Sequence, residues 1–348
     1  KLINIFRILS FLLNSFQRRR AAFNLLKPLN SKKKSSNKRI IIRSWFTENT
    51  FNKVSNFKDR NFGKLPDWLS SRNHEIWFLP NLFALSSPID KVYTFMRDQE
   101  STFIVPDHYL KIADYFKVIF RNYRTSKIEI GNTSIIDTDI SPLFKELLIT
   151  TRYDRGLLTL SLCVPMLERL KEKGFEIDVF LYSFENNTPE KQFILACRKY
   201  FNGSKIIAFQ HTTFFPNQLA YHLGSDEKEF CPLPDKIICS GPIYIDLQKK
   251  SNFPSEILVS GPNLRFNAVH EYPIKSNVFS SNSKKFLLLA LSLSHELAFE
   301  LFTKLKEAIG NLQNLNVRHH HFPSNANNDM RSILDDSQCR TEVSSGSS

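Results

Sequence analysis

The sequence has few of the residues on which the common catalytic motifs depend. Only ten glycines occur in 348 residues, and no P-loop, G-x-G-x-x-G, G-x-S-x-G or H-E-x-x-H motif is present. Their absence argues against P-loop triphosphatases, dinucleotide-dependent dehydrogenases, nucleophile-elbow hydrolases and zincins. The five cysteines contain no C-x-x-C pair and are odd in number. This argues against a zinc framework and favours reduced thiols in a cytoplasmic setting.

Long apolar runs are missing as well. The most apolar stretch, Leu2–Phe16, is too short for a transmembrane helix, is interrupted by Arg7, and lacks a convincing signal-peptide cleavage site. Its polar residues at positions 4, 7, 10 and 14 form one stripe at helical spacing and leave a wide apolar face. Two interpretations stay open: a helix lying on an anionic membrane surface, or a helix packed on the protein and followed by a solvated basic linker.

The positive charge is confined to the start of the chain. Residues 1–64 hold sixteen Lys or Arg and two acidic residues, a net +14 against +13 for the whole chain. The remainder is therefore close to neutral. The basic clusters Arg18–Arg20 and Lys32–Lys34 fit a peripheral location on the inner face of the cytoplasmic membrane. Without an accompanying recognition motif they do not indicate nucleic-acid binding, so no nucleic-acid partner is predicted.

Four short apolar runs organise the centre of the chain. They are Ile177–Tyr182, Lys205–Phe209, Lys236–Cys239 and Glu256–Ser260, and the spacing in Pro189–Phe201 predicts a helix after the first. Strands that alternate with helices indicate parallel βαβ units, whose ligands bind at the carboxyl ends of the strands. The residues that follow these four strands are polar, small or bend-forming, as in a cleft lining. They are Glu185, Asn186, Gln210, His211, Thr212, Ser240, Gly241 and Gly261.

The pattern restarts after a polar linker. Lys285–Leu291 and Asn316–His320 are predicted strands, with a periodic helix over Glu296–Ile309 between them. We therefore divide the chain into a basic amphipathic segment, an N-terminal Rossmann-like domain, a linker, the start of a second Rossmann-like domain and a disordered tail. Their bounds are 1–38, 39–268, 269–284, 285–323 and 324–348.

Five separated motifs carry a family resemblance. They are RSWF (43–46), YSFENNTPEK (182–191), AFQHTTFFP (208–216), PLPDKIICSGP (232–242) and LVSGPNLRF (258–266). In this order they resemble bacterial surface-carbohydrate (O-antigen and capsule) biosynthesis proteins with a GT-B-like glycosyltransferase architecture, over about residues 39–323. The resemblance implies an α/β fold, a doubly wound parallel-sheet (Rossmann-like) N-terminal domain and a truncated second Rossmann-like domain, so the chain is interpreted as a fragment.

The resemblance also implies an activity and roles for individual residues. A sugar would pass from a nucleotide-activated donor to a glycan or lipid-linked acceptor, with the nucleotide sugar as co-substrate and neither metal nor other cofactor. Glu185 is one candidate base for the acceptor hydroxyl, unless it only caps the following helix, and His211 is the other, unless it is structural. Asn186, Gln210, Thr212, Ser240, Gly241 and Gly261 would contact the substrate, although both glycines could simply form turns.

Donor-side residues are predicted in the second domain. Ser292, Ser294 and His321 would bind the donor phosphate, although Ser294 also suits an ordinary helix N-cap. The run His319–His321 is not interpreted as a metal site, because consecutive strand residues point to opposite faces. Two other functions remain open: a nucleotide-sugar epimerase of the same fold, and a non-catalytic membrane-associated scaffold.

Overall fold

The structure is a computed structural model of the chain. It describes the residues 2–29, 38–51, 57–83, 85, 87–125, 127, 129, 131–135, 137–214, 218–266, 286–290, 297, 299–301, 303–304, 307, 316–320 and 341–343.

The helices of the described residues connect the strands and flank the sheet. They are α1 (Leu2–Leu25), α2 (Glu48–Phe51), α3 (Leu65–Ser70), α4 (Ile89–Arg97), α5 (Ile112–Thr125), α6 (Ser141–Thr151), α7 (Arg155–Ser161), α8 (Cys163–Glu172), α9 (Thr188–Tyr200) and α10 (Pro242–Lys250). The stretch 140–170, whose apolar residues recur at helical spacing, forms the three helices α6, α7 and α8. Asp154 causes one break by capping α7, where its carboxylate accepts a hydrogen bond from Leu157 N at 2.7 Å.

Six of the strands overlap the apolar runs that the sequence analysis interprets as strands. The strands are β1 (Arg39–Phe46), β2 (Glu75–Leu82), β3 (Thr102–Phe103), β4 (Ser134–Ile135), β5 (Thr138–Asp139), β6 (Val179–Phe184), β7 (Lys205–Gln210), β8 (Lys236–Cys239), β9 (Leu258–Ser260), β10 (Phe286–Ala290), β11 (Asn316–His320) and β12 (Thr341–Val343). Of the six that overlap these runs, β8 and β11 have the expected bounds at both ends.

The first unit, Lys1–Tyr272, is built on a seven-stranded sheet in the order β3-β2-β1-β6-β7-β8-β9. Each neighbouring pair is parallel. The strand order reverses between β1 and β6, which makes the carboxyl ends of these two strands the topological switch point where open α/β sheets bind ligands. The predicted α/β fold class with a doubly wound parallel sheet is confirmed.

Two apolar cores cover the two faces of this sheet. On β1, Ile41 points into the core that contains Phe180 and Phe193, whereas Ile40 and Ile42 point into the opposite core. Both faces of the strand are buried because helices pack on each side, which explains why β1 is apolar at consecutive positions. The two cores hold the strand ends, and therefore the residues that follow them, in a fixed arrangement.

The second unit, Pro273–Ser348, contains a parallel sheet in the order β10-β11-β12. The predicted second set of parallel strands is thus present in the described residues. β12 lies inside the predicted disordered tail, where residues 341–343 pair with β11 instead. Within the predicted helix over 296–309, every residue that the structure describes is helical, and the other residues of this range lie outside the described part of the chain.

α1 belongs to the first unit and packs on it. Phe11 and Ala22 are fully buried, and Arg7 Nη1 donates a hydrogen bond to the carbonyl of Thr150 at 3.1 Å. Arg18 Nε lies 3.5 Å from Asp107 Oδ2, so part of the first basic cluster is used inside the protein. Of the two interpretations of this helix, packing on the protein therefore holds for the side that carries Phe11 and Ala22.

No helix of the described residues combines the length and the apolarity needed to cross a bilayer.

Candidate active site

The carboxyl ends of β6, β7, β8 and β9 lie along one edge of the sheet. In register, Phe184 pairs with Gln210, and Cys239 pairs with Ser260. The residues that follow these strands are therefore brought to the same edge, as the sequence predicts from parallel topology. Their roles in a site remain a prediction.

Glu185 and His211 meet at this edge. Glu185 Oε1 lies 3.4 Å from His211 Nε2. The carboxylate side chain is 34% exposed, whereas that of His211 is 8% exposed. Glu185 is therefore the member of the pair that an incoming hydroxyl group can reach, and His211 lies behind it. Asn187 Nδ2 donates to the other carboxylate oxygen of Glu185 at 3.2 Å, so both oxygens have a partner.

Sequence reasoning missed a second carboxylate near this pair, Asp59. It is buried, and its Oδ1 accepts hydrogen bonds from the backbone N–H groups of Asn61 and Phe62 at 2.8 and 2.9 Å. Burial raises the pKa of Asp59, whereas these N–H groups and the charge of His211 act in the opposite direction. Asp59 Oδ2 and His211 Nδ1 are both buried without a hydrogen-bond partner among the described residues.

Aromatic packing explains why Asp59 comes close to His211. Phe62 contacts Phe209 edge to face, with ring centroids 5.5 Å apart. Phe209 lies in β7 and His211 directly follows this strand, so the contact brings the loop that carries Asp59 to the carboxyl end of β7. Asp-x-Asn indicates a local turn, but no local signal places that turn beside β7.

Glu190 fixes the loop that carries Glu185. Its carboxyl oxygens accept hydrogen bonds from the backbone N–H groups of Glu185, at 3.0 and 3.1 Å, and of Asn186, at 2.8 Å. Burial raises the pKa of Glu190 to about 8, although these N–H groups and the Arg43 guanidinium act against the rise. The spacing Asn187-x-x-Glu190, a capping-box pattern at the start of α9, is the sequence signal that could have identified this residue.

Asn186 is held in an unusual backbone conformation. Its φ is +55°, a region that asparagine tolerates better than most residues, and its Nδ2 donates to the carbonyl of Ala220 at 2.6 Å. The amide nitrogen is therefore engaged within the protein. Its contribution at the site is to turn the chain so that Glu185 and Asn187 face each other.

Gln210 and Ser240 tie the ends of β7 and β8 together. Gln210 Oε1 accepts from Ser240 N, and Ser240 Oγ donates to the carbonyl of Gln210, both at 3.1 Å. Gln210 Nε2 donates to the carbonyl of Thr212 at 3.0 Å. Both amide atoms of Gln210 thus hold the backbone at this edge, whereas the half-buried Thr212 has a side chain that can still meet a ligand.

The two glycines at the edge differ in what they require. An added Cβ at Gly261 would lie 2.2 Å from Ile238 Cγ2, so glycine is needed there for packing. Gly241 has a φ of +105°, and an added Cβ would meet nothing within 4 Å. Open space at the start of α10 leaves room for a ligand beside the Gly241 backbone.

The predicted donor-side residues Ser292, Ser294 and His321 lie outside the described residues. Within the described part of the chain, no group of three or more His, Cys, Asp or Glu is placed to hold a metal ion.

Comparison with known proteins finds no matching family model and no matching curated protein. Solved structures are similar at low identity. UDP-GlcNAc 2-epimerase from Neisseria meningitidis, bound to UDP-GlcNAc, is 10% identical, and the match covers 88% of this chain and 72% of that chain with a TM-score of 0.44. MnaA of S. aureus with UDP is 12% identical over 88% and 68%, with a TM-score of 0.43. MurG from Acinetobacter baumannii is 13% identical over 88% and 66%, with a TM-score of 0.36.

At these identities and TM-scores the matches assign no activity, substrate or site to this chain. The chemistry of the edge is therefore inferred from its own residues. They provide a partly exposed carboxylate, a histidine beside it, a buried second carboxylate and backbone held by Glu190 and Gln210.

Proposed function

We propose that this chain transfers a sugar from a nucleotide-activated donor to a glycan or lipid-linked acceptor in surface-polysaccharide synthesis. The observation that carries the proposal is the pairing of Glu185 with His211 at the edge where the strands have their carboxyl ends. General-base catalysis needs a carboxylate or imidazole that a hydroxyl group can reach and whose orientation is fixed. Glu185 meets both requirements, because it is partly exposed and both of its oxygens are held.

In the proposed reaction, Glu185 accepts the proton of the acceptor hydroxyl. The hydroxyl oxygen forms a bond to the anomeric carbon of the donor sugar, and the bond from that carbon to the diphosphate oxygen breaks. The nucleoside diphosphate leaves with the electron pair of the broken bond. His211 acts as a positioning residue, since its Nε2 lies 3.4 Å from Glu185 Oε1 and orients the carboxylate.

Substrate contacts belong to the same proposal. Thr212 and the backbone at Gly241 would meet sugar hydroxyls, because the side chain and the open space there face the edge. Ser292, Ser294 and His321 would bind the donor phosphate. The acceptor would be met at a membrane, with the chain located in the cytoplasm and bound peripherally through residues 1–38.

The test is turnover of the full chain with UDP-, GDP-, CDP- and CMP-sugars, with and without glycan or lipid-linked acceptors. Glu185→Gln should lower kcat by about 10²-fold or more, the usual contribution of a general base. The matched control, Glu229→Gln, changes an exposed carboxylate away from the edge and should retain activity. Rescue of His211→Ala by His211→Gln would support the positioning role, since glutamine can still donate to Glu185.

Three results would contradict the proposal. Sugar conversion without any acceptor would instead indicate an epimerase. Failure to bind any nucleotide sugar would indicate a non-catalytic scaffold. Equal kcat for Glu185→Gln and Glu229→Gln would place the chemistry elsewhere in the chain.

A further inference from the structure

The outward face of α1 is apolar. Phe6, Leu9, Leu13 and Phe16 are exposed and recur at spacings of three and four residues, which places them on one stripe of the helix. Of the polar stripe predicted from the sequence, Asn4, Arg7 and Ser10 are half-buried on the inner side, whereas Asn14 is exposed. The helix is therefore apolar on its outer side as well as on its inner side, where Phe11 packs on the core, whereas an ordinary surface helix is apolar only on the side that faces the core.

Two further helices expose apolar residues. α5 exposes Ile112, Phe116 and Phe120, which are spaced four residues apart and so lie along one side. α6 exposes Leu143, Phe144, Leu147 and Ile149, and Ser141 is its only fully buried residue among those described. A helix of this composition with almost no buried side is unusual in a protein that contacts only water.

The three helices are neighbours. Phe16 on α1 contacts Tyr115 on α5, with ring centroids 6.0 Å apart. Arg7 on α1 donates a hydrogen bond to Thr150 of α6. Arg152, directly after α6, lies 5.1 Å above the ring of Tyr123 on α5. We call the exposed apolar residues of α1, α5 and α6 together the three-helix face.

The charges beside the three-helix face are predominantly positive. α1 has no acidic residue, and its Arg20 is exposed, whereas Arg7, Arg18 and Arg19 bond within the protein. α5 carries Lys117, Arg121 and Arg124, and its single acid, Asp114, is buried in a pair with Arg169. α6 carries Lys145 and Glu146. An apolar surface bordered by cations fits the interface of an anionic bilayer, where apolar side chains enter the acyl boundary and cations meet the headgroups.

We propose that the three-helix face is a bilayer-contacting surface for anionic lipid. The inference deepens the proposed membrane contact of residues 1–38 by adding α5 and α6, and it does not depend on sugar transfer. Charge decides between a bilayer and a second copy of the chain, because two copies joined through this face would bring like charges together. Since none of the described helices can span a bilayer, contact is expected along the helix sides.

The test is flotation of the full chain with vesicles of phosphatidylcholine alone, or mixed equally with phosphatidylglycerol. Phe6→Glu (side chain 73% exposed) is compared with Phe230→Glu (74%), and Leu147→Glu (55%) with Leu195→Glu (51%). Because each pair matches residue type and exposure, folding should be affected equally. Both face variants should lower binding to the anionic vesicles by about tenfold or more. The substitution replaces an apolar side chain that would enter the bilayer with a carboxylate that anionic lipid repels. The controls should bind like the parent.

Salt and Lys145→Glu provide a second measurement. Lys145→Glu should weaken binding to anionic vesicles only. Raising salt from about 0.1 M to about 1 M shortens the Debye length from about 10 Å to about 3 Å and should weaken parent binding.

Each alternative has its own result. If Leu147→Glu binds like Leu195→Glu while Phe6→Glu loses binding, contact is confined to residues 1–38 and the three-helix inference is wrong. If the face variants change the oligomeric state and leave vesicle binding unaltered, the surface joins protein chains and the inference is overturned. Because no nucleotide sugar is present, these results are independent of those that test sugar transfer.

Discussion

Replacement of Glu190 by glutamine should change how stability depends on pH. The pKa of Glu190 in the folded protein is about 8, against an ordinary value of 4.5, chiefly because the residue is buried. Its neutral form is therefore favoured by folding. A group with a raised folded-state pKa contributes stability fully below its unfolded pKa and loses that contribution as pH rises through its folded pKa. For Glu190 the window is pH 4.5 to about 8.

The magnitude follows from the two pKa values. At about 1.4 kcal/mol for each pH unit, the change from 4.5 to about 8 corresponds to at most about 5 kcal/mol of stability lost across the window. The neutral amide of Glu190→Gln cannot ionise, so it avoids this loss. Its oxygen can still accept the N–H groups of Glu185 and Asn186, which keeps the loop in place. Relative to the parent, the variant should therefore gain up to about 5 kcal/mol in free energy of unfolding as pH rises through this window.

Urea-induced unfolding between pH 5 and pH 9 measures this difference. The quantity of interest is the variant free energy minus that of the parent at each pH, because other titrating groups cancel in it. Glu229→Gln makes the same chemical change at an exposed position and is the matched control. A flat difference for Glu190→Gln would refute the reasoning, since it would mean that burial does not favour the neutral carboxyl.

Three other substitutions test the packing that supports the site and α1. Arg169→Ala should cost about 3–5 kcal/mol in urea unfolding, because it leaves Asp114 buried without the bonds of 2.7 and 2.9 Å that it receives; a cost below about 1 kcal/mol would contradict this. Gly261→Ala should cost about 1–3 kcal/mol through its collision with Ile238, and Ile238→Ala should relieve part of that cost. Phe11→Ala should cost about 3–5 kcal/mol in free energy of unfolding, because Phe11 is fully buried. If the variant instead loses the protection of α1 from proteolysis without any change in the unfolding midpoint, α1 does not stabilise the first unit by packing on it.

Local patterns predicted the sheet and the edge of the site well. β8 has the expected bounds because the apolar run Lys236–Cys239 ends abruptly in Ser-Gly-Pro, which cannot continue a strand. Glu185 and His211 could be placed at one edge because parallel strands point the same way, a rule that needs only the order of elements. The candidate site residues could be predicted from the sequence where they directly follow an apolar run that forms a strand.

The remaining features depend on contacts that are distant in the sequence. Asp59 reaches the site because Phe62 packs on Phe209, and nothing near Asp59 in the sequence specifies that partner. The apolar stripe of α1 was visible from its spacing, but the side that faces the protein was not. Burial of Phe11, together with the bond from Arg7 to Thr150, sets that side.

The packing of α1 also has a consequence during synthesis. Its partners Leu110 and Thr150 follow Arg19 and Arg7 by 91 and 143 residues. At about 5–20 residues per second, a nascent chain would wait roughly 5 to 30 seconds before α1 could dock. Throughout this interval both faces of the helix are uncovered, so α1 is a substrate for chaperones, or for an early encounter with lipid, before the sheet exists.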